Sequence, residues 1–177
     1  MKSTNLVQLE TPRITSGKAM LIAGLRSHFT SATWGAIPEQ WERLTPYLGK
    51  IPGQLGRVTY GLCFRGPDGI DYLSGVEVSN VEGVPGEFRH ASIPAQEYVV
   101  FSHRDHVSKL YQTLDAVSRE WLPRSGYRAA QAEAGAPDFF ERYGEGFNPQ
   151  TGVGDIEVWI PIAAGEQGGE SQERIAS

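Results

Sequence analysis

The order strand, helix, strand, strand appears twice along the chain, and a duplicated unit of that kind restricts the fold more than any single motif does. In the first copy a compact apolar run at residues 18–25, continuing toward Phe29, has strand length. Ile37, Trp41, Leu44 and Leu48 then recur at steps of four, three and four, which marks one face of a helix. Pro38 and Glu39 suit a first helical turn, Pro46 shortens the helix, and Gly49, Pro52 and Gly53 end it. Val58, Tyr60, Leu62 and Phe64 alternate with Thr59, Gly61 and Cys63, and the turn Gly66-Pro67-Asp68-Gly69 reverses the chain into a strand at residues 72–78. The second copy runs from a strand at residues 97–103 to a helix carried by Val107, Leu110, Tyr111, Leu114, Val117, Ser118 and Trp121, which Pro123 and Gly126 end. Strands at residues 139–143 and 155–162 follow, joined by a glycine-rich turn. Two β-α-β-β halves predict an α+β domain with pseudo-twofold symmetry: two helices on a mostly antiparallel sheet, with a central ligand groove where the halves meet.

Residues 1–13 read as a flexible lead-in, 14–163 as one domain with halves at about 14–80 and 96–162, and the polar, glycine-rich residues 164–177 as a disordered tail. Residues 80–95, rich in Gly and Pro, read as a connecting loop. With 177 residues and 40% apolar content the chain can bury one core of ordinary size. A net charge of −5 with scattered Lys and Arg argues against a nucleic-acid binder, which needs a basic stripe against phosphate. Cys63 is the single cysteine, so no disulfide framework exists, and its apolar surroundings make it a buried strand residue. No apolar run approaches bilayer length and no secretory leader pattern opens the chain, so a cytoplasmic protein is expected.

Function is most legible at residues 139–143. In an extended strand Phe139, Glu141 and Tyr143 share one face, which sets a carboxylate between two aromatic rings, while Phe140 and Arg142 share the other. Ile156, Val158, Ile160 and Ile162 form an apolar face, leaving Trp159 with Asp155 and Glu157 opposite. Together these segments predict an aromatic-walled cleft with a negative charge in its floor, suited to a lipophilic cation. The alternative is a solvated Glu141 on an edge strand, paired with Arg142 or another base. Trp34 precedes the first helix and is placed at the groove mouth; Tyr60 is a pocket candidate, although the pattern does not fix which face Tyr60 and Tyr72 occupy. Glu77 is a second acid by the internal repeat. Trp41 and Trp121 lie on apolar stripes and read as core. His28, His90, His103 and His106 show no metal-ligand spacing, and no cofactor is expected; Asp105 is placed as the cap of the second helix.

The stretches Tyr98-Val99-Val100-Phe101-Ser102-His103-Arg104, residues 120–127, Pro137-Asp138-Phe139-Phe140-Glu141-Arg142-Tyr143, Phe147-Asn148-Pro149 and Glu157-Val158-Trp159-Ile160-Pro161-Ile162 resemble, in order and spacing, the GyrI-like small-molecule-binding family. That family includes the effector-binding domains of AraC-type and MerR-type bacterial transcription regulators. The first half agrees in outline through Pro38-Glu39-Gln40-Trp41, Tyr60-Gly61 and residues 72–77, and the resemblance runs from about Ile14 to Ile162. It implies a groove that binds multidrug-like cations, with the family's glutamate at Glu141 and its last-strand aromatic at Trp159, where many members have tyrosine. No helix-turn-helix segment is seen, so the resemblance implies a stand-alone module that binds a small molecule and not nucleic acid or membrane, with a separate regulator or gyrase as possible partner. Some stand-alone members oppose gyrase-directed toxins. Others hydrolyse cyclopropane-bearing genotoxic natural products, a role in which Glu141 would be a general base and Tyr143, or another groove phenol such as Tyr60, the proton donor.

Overall fold

The tight reversal at Gly66–Gly69 pairs two long strands, β3 (Gln54–Gly66) and β4 (Gly69–Val78), and the rest of the sheet is built outward from them. In this computed structural model residues 9–164 are described; the expected tail beyond Ala164, which itself ends a strand, and most of the expected lead-in lie outside the described residues. The other strands are β1 (Arg13–Gly17), β2 (Met20–Phe29), β5 (Arg89–Ile93), β6 (Gln96–His103), β7 (Tyr127–Ala129), β8 (Phe139–Tyr143) and β9 (Ile156–Ala164). They lie in the order β1-β6-β9-β8-β3-β4-β2-β5, with β7 added to β9, and all pairings are antiparallel. The first half occupies β2-β4-β3 and the second β6-β9-β8, so the inner strands β3 and β8 form the seam between two like units.

Each half places one helix on the same face of the sheet. Helix α1 (Ile37–Leu44) carries Pro38 in its first turn and continues into a 3-10 turn at Pro46, as the prolines dictate. Helix α2 (Leu110–Ala116) passes through a π turn (Val117–Trp121) into α3 (Leu122–Ser125), and Gly126, with φ 83°, supplies the left-handed C-terminal position. Alternation sorts the remaining side chains. Ala23, Leu25, Val76 and Val78 pack under α1, Val99, Phe101 and Ile162 pack with Val117 and Trp121, and Cys63, Tyr72, Phe139, Tyr143, Ile156 and Val158 lie between. The opposite, helix-free face holds a second core of Ile22, Tyr60, Leu62, Leu73, Tyr98, Phe140 and, half-buried, Trp159.

Three strands escape the sequence patterns. β1, β5 and β7 are short and largely exposed, and β5 falls in the stretch expected to be loop. They become strands because β6, β2 and β9 present unpaired backbone groups at their edges, a demand set by the sheet rather than by local residues. The cap of the second helix also differs from expectation. His106 caps the 3-10 turn that leads into α2, its Nδ1 accepting from the Ser108 N–H at 3.0 Å, while Asp105 receives the His106 N–H and pairs with Lys109.

Candidate functional site

The seam strands decide where the acid sits. Glu141 on β8 lies opposite Gly61 on β3, and Cys63 lies opposite both Phe139 on β8 and Tyr72 on β4, so Gly61, Cys63, Tyr72, Phe139, Glu141 and Tyr143 all face the helices. Gly61 is glycine for a steric reason. A Cβ there would overlap the Tyr72 phenol and lie 2.7 Å from Glu141 Oε1. Through that gap Tyr72 Oη donates to Glu141 Oε1 at 2.7 Å, and Tyr143 Oη donates to the same oxygen at 2.7 Å. Trp41, on α1, donates its indole N–H to Tyr72 Oη at 3.1 Å and sets its ring edge-on to Tyr143 at 5.4 Å. Phe147, from the β8–β9 loop, packs on the far side of Tyr143 with ring centroids 4.9 Å apart.

The electrostatics follow from this enclosure. Glu141 is 8% exposed, and among the described residues no basic side chain pairs with it. Burial pushes its pKa above the ordinary carboxylate value, partly offset by the two phenol hydrogen bonds. Burial, followed by the neighbouring Glu141 charge, pushes the Tyr72 and Tyr143 phenols well above theirs. Both phenols serve Oε1; Oε2 receives no hydrogen bond among the described residues. Among the described residues Gln40 Oε1 is a fully buried side-chain oxygen left without a partner. One carboxylate oxygen of Glu141 is therefore held by two donors, and the other has no hydrogen-bond partner among the described residues.

The sequence candidates divide between two faces. Phe139 and Tyr143 share the Glu141 face, with Arg65 over the Phe139 ring at 5.3 Å. Trp159 does not share it: Trp159 pairs with Phe140 and stacks on that ring at 5.6 Å, while Val158 is the residue opposite Glu141. The apolar side of β9 and the acid side of β8 are the same side of the sheet, which corrects the expected single cleft joining Glu141 to Trp159. Tyr60 likewise lies on the helix-free face, against Phe140 at 5.7 Å. Trp34 is 49% exposed in the turn before α1. Glu77 belongs to β4, whose counterpart in the second half is β9 and not β8, so the repeat does not make it equivalent to Glu141. Tyr72 and Trp41 were not singled out for the site from sequence. The tight β3–β4 turn carries the missing signal for Tyr72, because it pairs that residue with Cys63 and so turns it to the Gly61 face. Among the described residues no group of three or more His, Cys, Asp or Glu side chains is placed to hold a metal ion, and no helix is long and apolar enough to cross a membrane.

A sheet of two like antiparallel halves with a helix over each defines a duplicated α+β domain, and an acid sits at the seam. The chain belongs to the GyrI-like family: the profile of the GyrI-like small molecule binding domain matches residues 10–163. It is 30% identical over 153 residues to the transcriptional regulator BrlR of Pseudomonas aeruginosa, covering 85% of this chain and 54% of BrlR, so the chain spans about half the length of that relative. Its fold is similar to a putative bacterial transcription regulation protein from Staphylococcus aureus MU50, with TM-score 0.65, 18% identity, and 87% and 99% of the two chains covered. SAV2435, whose structure holds tetraphenylphosphonium, is similar at TM-score 0.64 and 19% identity, over 87% of this chain and 94% of SAV2435.

Proposed function

We propose that this protein is an effector-binding domain that holds a lipophilic organic cation against Glu141, in the groove over the β3–β8 seam. The observation that carries this reading is the buried carboxylate: two phenols on Oε1, no protein donor on Oε2 and no basic partner among the described residues. A buried acid without a counter-ion is costly to keep charged, and a cation arriving at Oε2 supplies what the fold leaves out. Trp41, Tyr143 and Phe147 add ring faces and edges, and a ring over a cation contributes about 0.5–2 kcal/mol. The Tyr72, Tyr143 and Trp41 donors are already engaged within the cluster, so the site offers charge and apolar surface but few hydrogen bonds. That favours cations whose charge is shielded by carbon. The tetraphenylphosphonium held by SAV2435 is a cation of this kind.

Calorimetry with tetraphenylphosphonium and with the neutral triphenylphosphine oxide tests the reading. Glu141→Gln is expected to weaken the cation at least about tenfold, on the order of 1.4 kcal/mol, and to leave the neutral compound little changed. Equal loss for both would remove Glu141 from this role.

A hydrolytic reading draws on one further observation, the carboxylate–phenol contact between Glu141 and Tyr143, which could pair a general base with a proton donor. Tyr60 has no part in it, since it lies across the sheet. Incubation with excess cyclopropane-bearing substrate separates the readings: a binder sequesters one equivalent, whereas a hydrolase consumes the excess. A third role, modulation of gyrase or of a transcription regulator, does not require stabilisation by lipophilic cations, so a thermal-shift screen that finds such stabilisation favours the binder.

A further inference from the structure

A pocket lies where β2, β4 and β5 meet the segment before β8, and Glu141 is not among its lining residues. Its volume is about 510 Å³, within the range of roughly 300–1,000 Å³ usual for small-molecule sites. Met20, Ile93, Pro94 and Ala136 supply apolar wall, and Glu77 and the exposed Glu133 are also among the lining residues. Met20 and Ile93 also border the aromatic core of the helix-free face, so the cavity lies between that core and the segment preceding β8. Glu77 already has an alkylammonium on it: the Lys18 Nζ, from the turn joining β1 to β2, is hydrogen-bonded to Glu77 Oε2. The Lys18 side chain is 69% exposed and the Glu77 side chain 17%, so the acid is fixed in the cavity wall while its partner reaches in from solvent. Holding a long exposed lysine in one geometry carries an entropic cost, and exposed pairs of this kind are worth about 0–1 kcal/mol, so the lysine is readily displaced.

We propose that this cavity is a second ligand site, for a primary alkylamine whose ammonium replaces Lys18 on Glu77 while its alkyl chain lies against Met20, Ile93 and Ala136. The chemistry complements that of the seam. Glu77 already accepts from an ammonium with three N–H donors, whereas Glu141 accepts from two phenols.

Hexylamine is the probe, with hexanol and hexanoate as neutral and anionic controls, followed by calorimetry and by the NMR signal of the Met20 methyl group. Hexylamine is expected to bind the wild-type protein and Glu141→Gln equally, to shift the Met20 resonance, and to lose at least about tenfold in affinity in Glu77→Gln. Lys18→Met, which removes the internal competitor, should tighten it several-fold. Tetraphenylphosphonium binding unchanged in Glu77→Gln verifies that the variant is folded; if it does not fold, the Met20 shift in the wild-type protein and the gain in Lys18→Met decide. Binding abolished by Glu141→Gln, equal binding of hexanol, or no Met20 shift on saturation would each overturn the proposal.

Discussion

Replacing Gly61 by alanine tests whether the seam is organised as described. At an unobstructed strand position this change stabilises a protein by about 0.5–1 kcal/mol, because alanine has less backbone entropy to lose. Here the new methyl group would overlap the Tyr72 hydroxyl and Cζ and crowd Glu141 Oε1 at 2.7 Å. Tyr72 cannot simply yield, since it is a rigid ring, 2% exposed, whose hydroxyl also accepts from the Trp41 indole at 3.1 Å. Moving it breaks the bond to Glu141, a hydrogen bond to a charged group worth about 1.5–3 kcal/mol, and strains the indole bond, worth about 1 kcal/mol. The expected cost is about 2–4 kcal/mol, which for a domain of this size lowers the Tm by about 4–16 °C. Tetraphenylphosphonium affinity should fall with it, because Oε2 is aimed by the bonds that hold Oε1. Differential scanning calorimetry and a binding titration read both effects, with Gly86→Ala, where nothing lies near the added methyl, as the neutral control. A Gly61→Ala protein as stable as wild type with undiminished cation affinity would show that the Tyr72–Glu141 contact organises nothing.

Other perturbations report on neighbouring parts. A carboxyl whose folded pKa lies above its unfolded value keeps its proton longer in the native chain, so raising the pH through that window removes stability. Urea unfolding from about pH 4 to about pH 8 should therefore show wild type losing ground to Glu141→Gln as the pH rises, and parallel curves would contradict a buried, unpaired Glu141. Gln40 fastens α1 to the sheet, its Nε2 donating to Leu25 O at 2.9 Å and to Tyr72 O and Ser74 Oγ at 3.0 Å. Gln40→Leu should cost about 2–4 kcal/mol by chemical denaturation, and a change under 0.5 kcal/mol would mean the amide is not the fastener. Trp159→Ala, which removes the ring stacked on Phe140, should destabilise by about 2–4 kcal/mol yet leave tetraphenylphosphonium affinity within about twofold. A tenfold loss with the fold intact would move the cation to the other face.

Much of this architecture is legible in residue spacing. The helical steps through Trp41 and Leu114 and the alternation around Leu62 and Val158 mark both helices and two of the six strands of the duplicated frame, and strict alternation alone puts Phe139, Glu141 and Tyr143 together. What spacing cannot supply is register between strands distant in sequence. Whether Trp159 joins Glu141 depends on which β9 residue lies opposite it, and that is set by the loop between them. There Asp155, at φ 53°, accepts Gly144 N–H with its carbonyl and Gly146 N–H with its side chain. Nothing in the alternation of either strand encodes that pairing. β1, β5 and β7 were hidden for a related reason, since their extended conformation answers an edge elsewhere in the sheet. Tyr72 was within reach, because the four-residue turn fixes its partner, but its role rests on the vacancy at Gly61, visible only once β3 and β8 are side by side.

That vacancy lies on the junction of two like units, and a feature that both units build at their junction exists once. Here one repeat contributes the anion and the other contributes the empty space beside it. The duplicated frame thus holds this acid–phenol cluster once, and neither half on its own could assemble it.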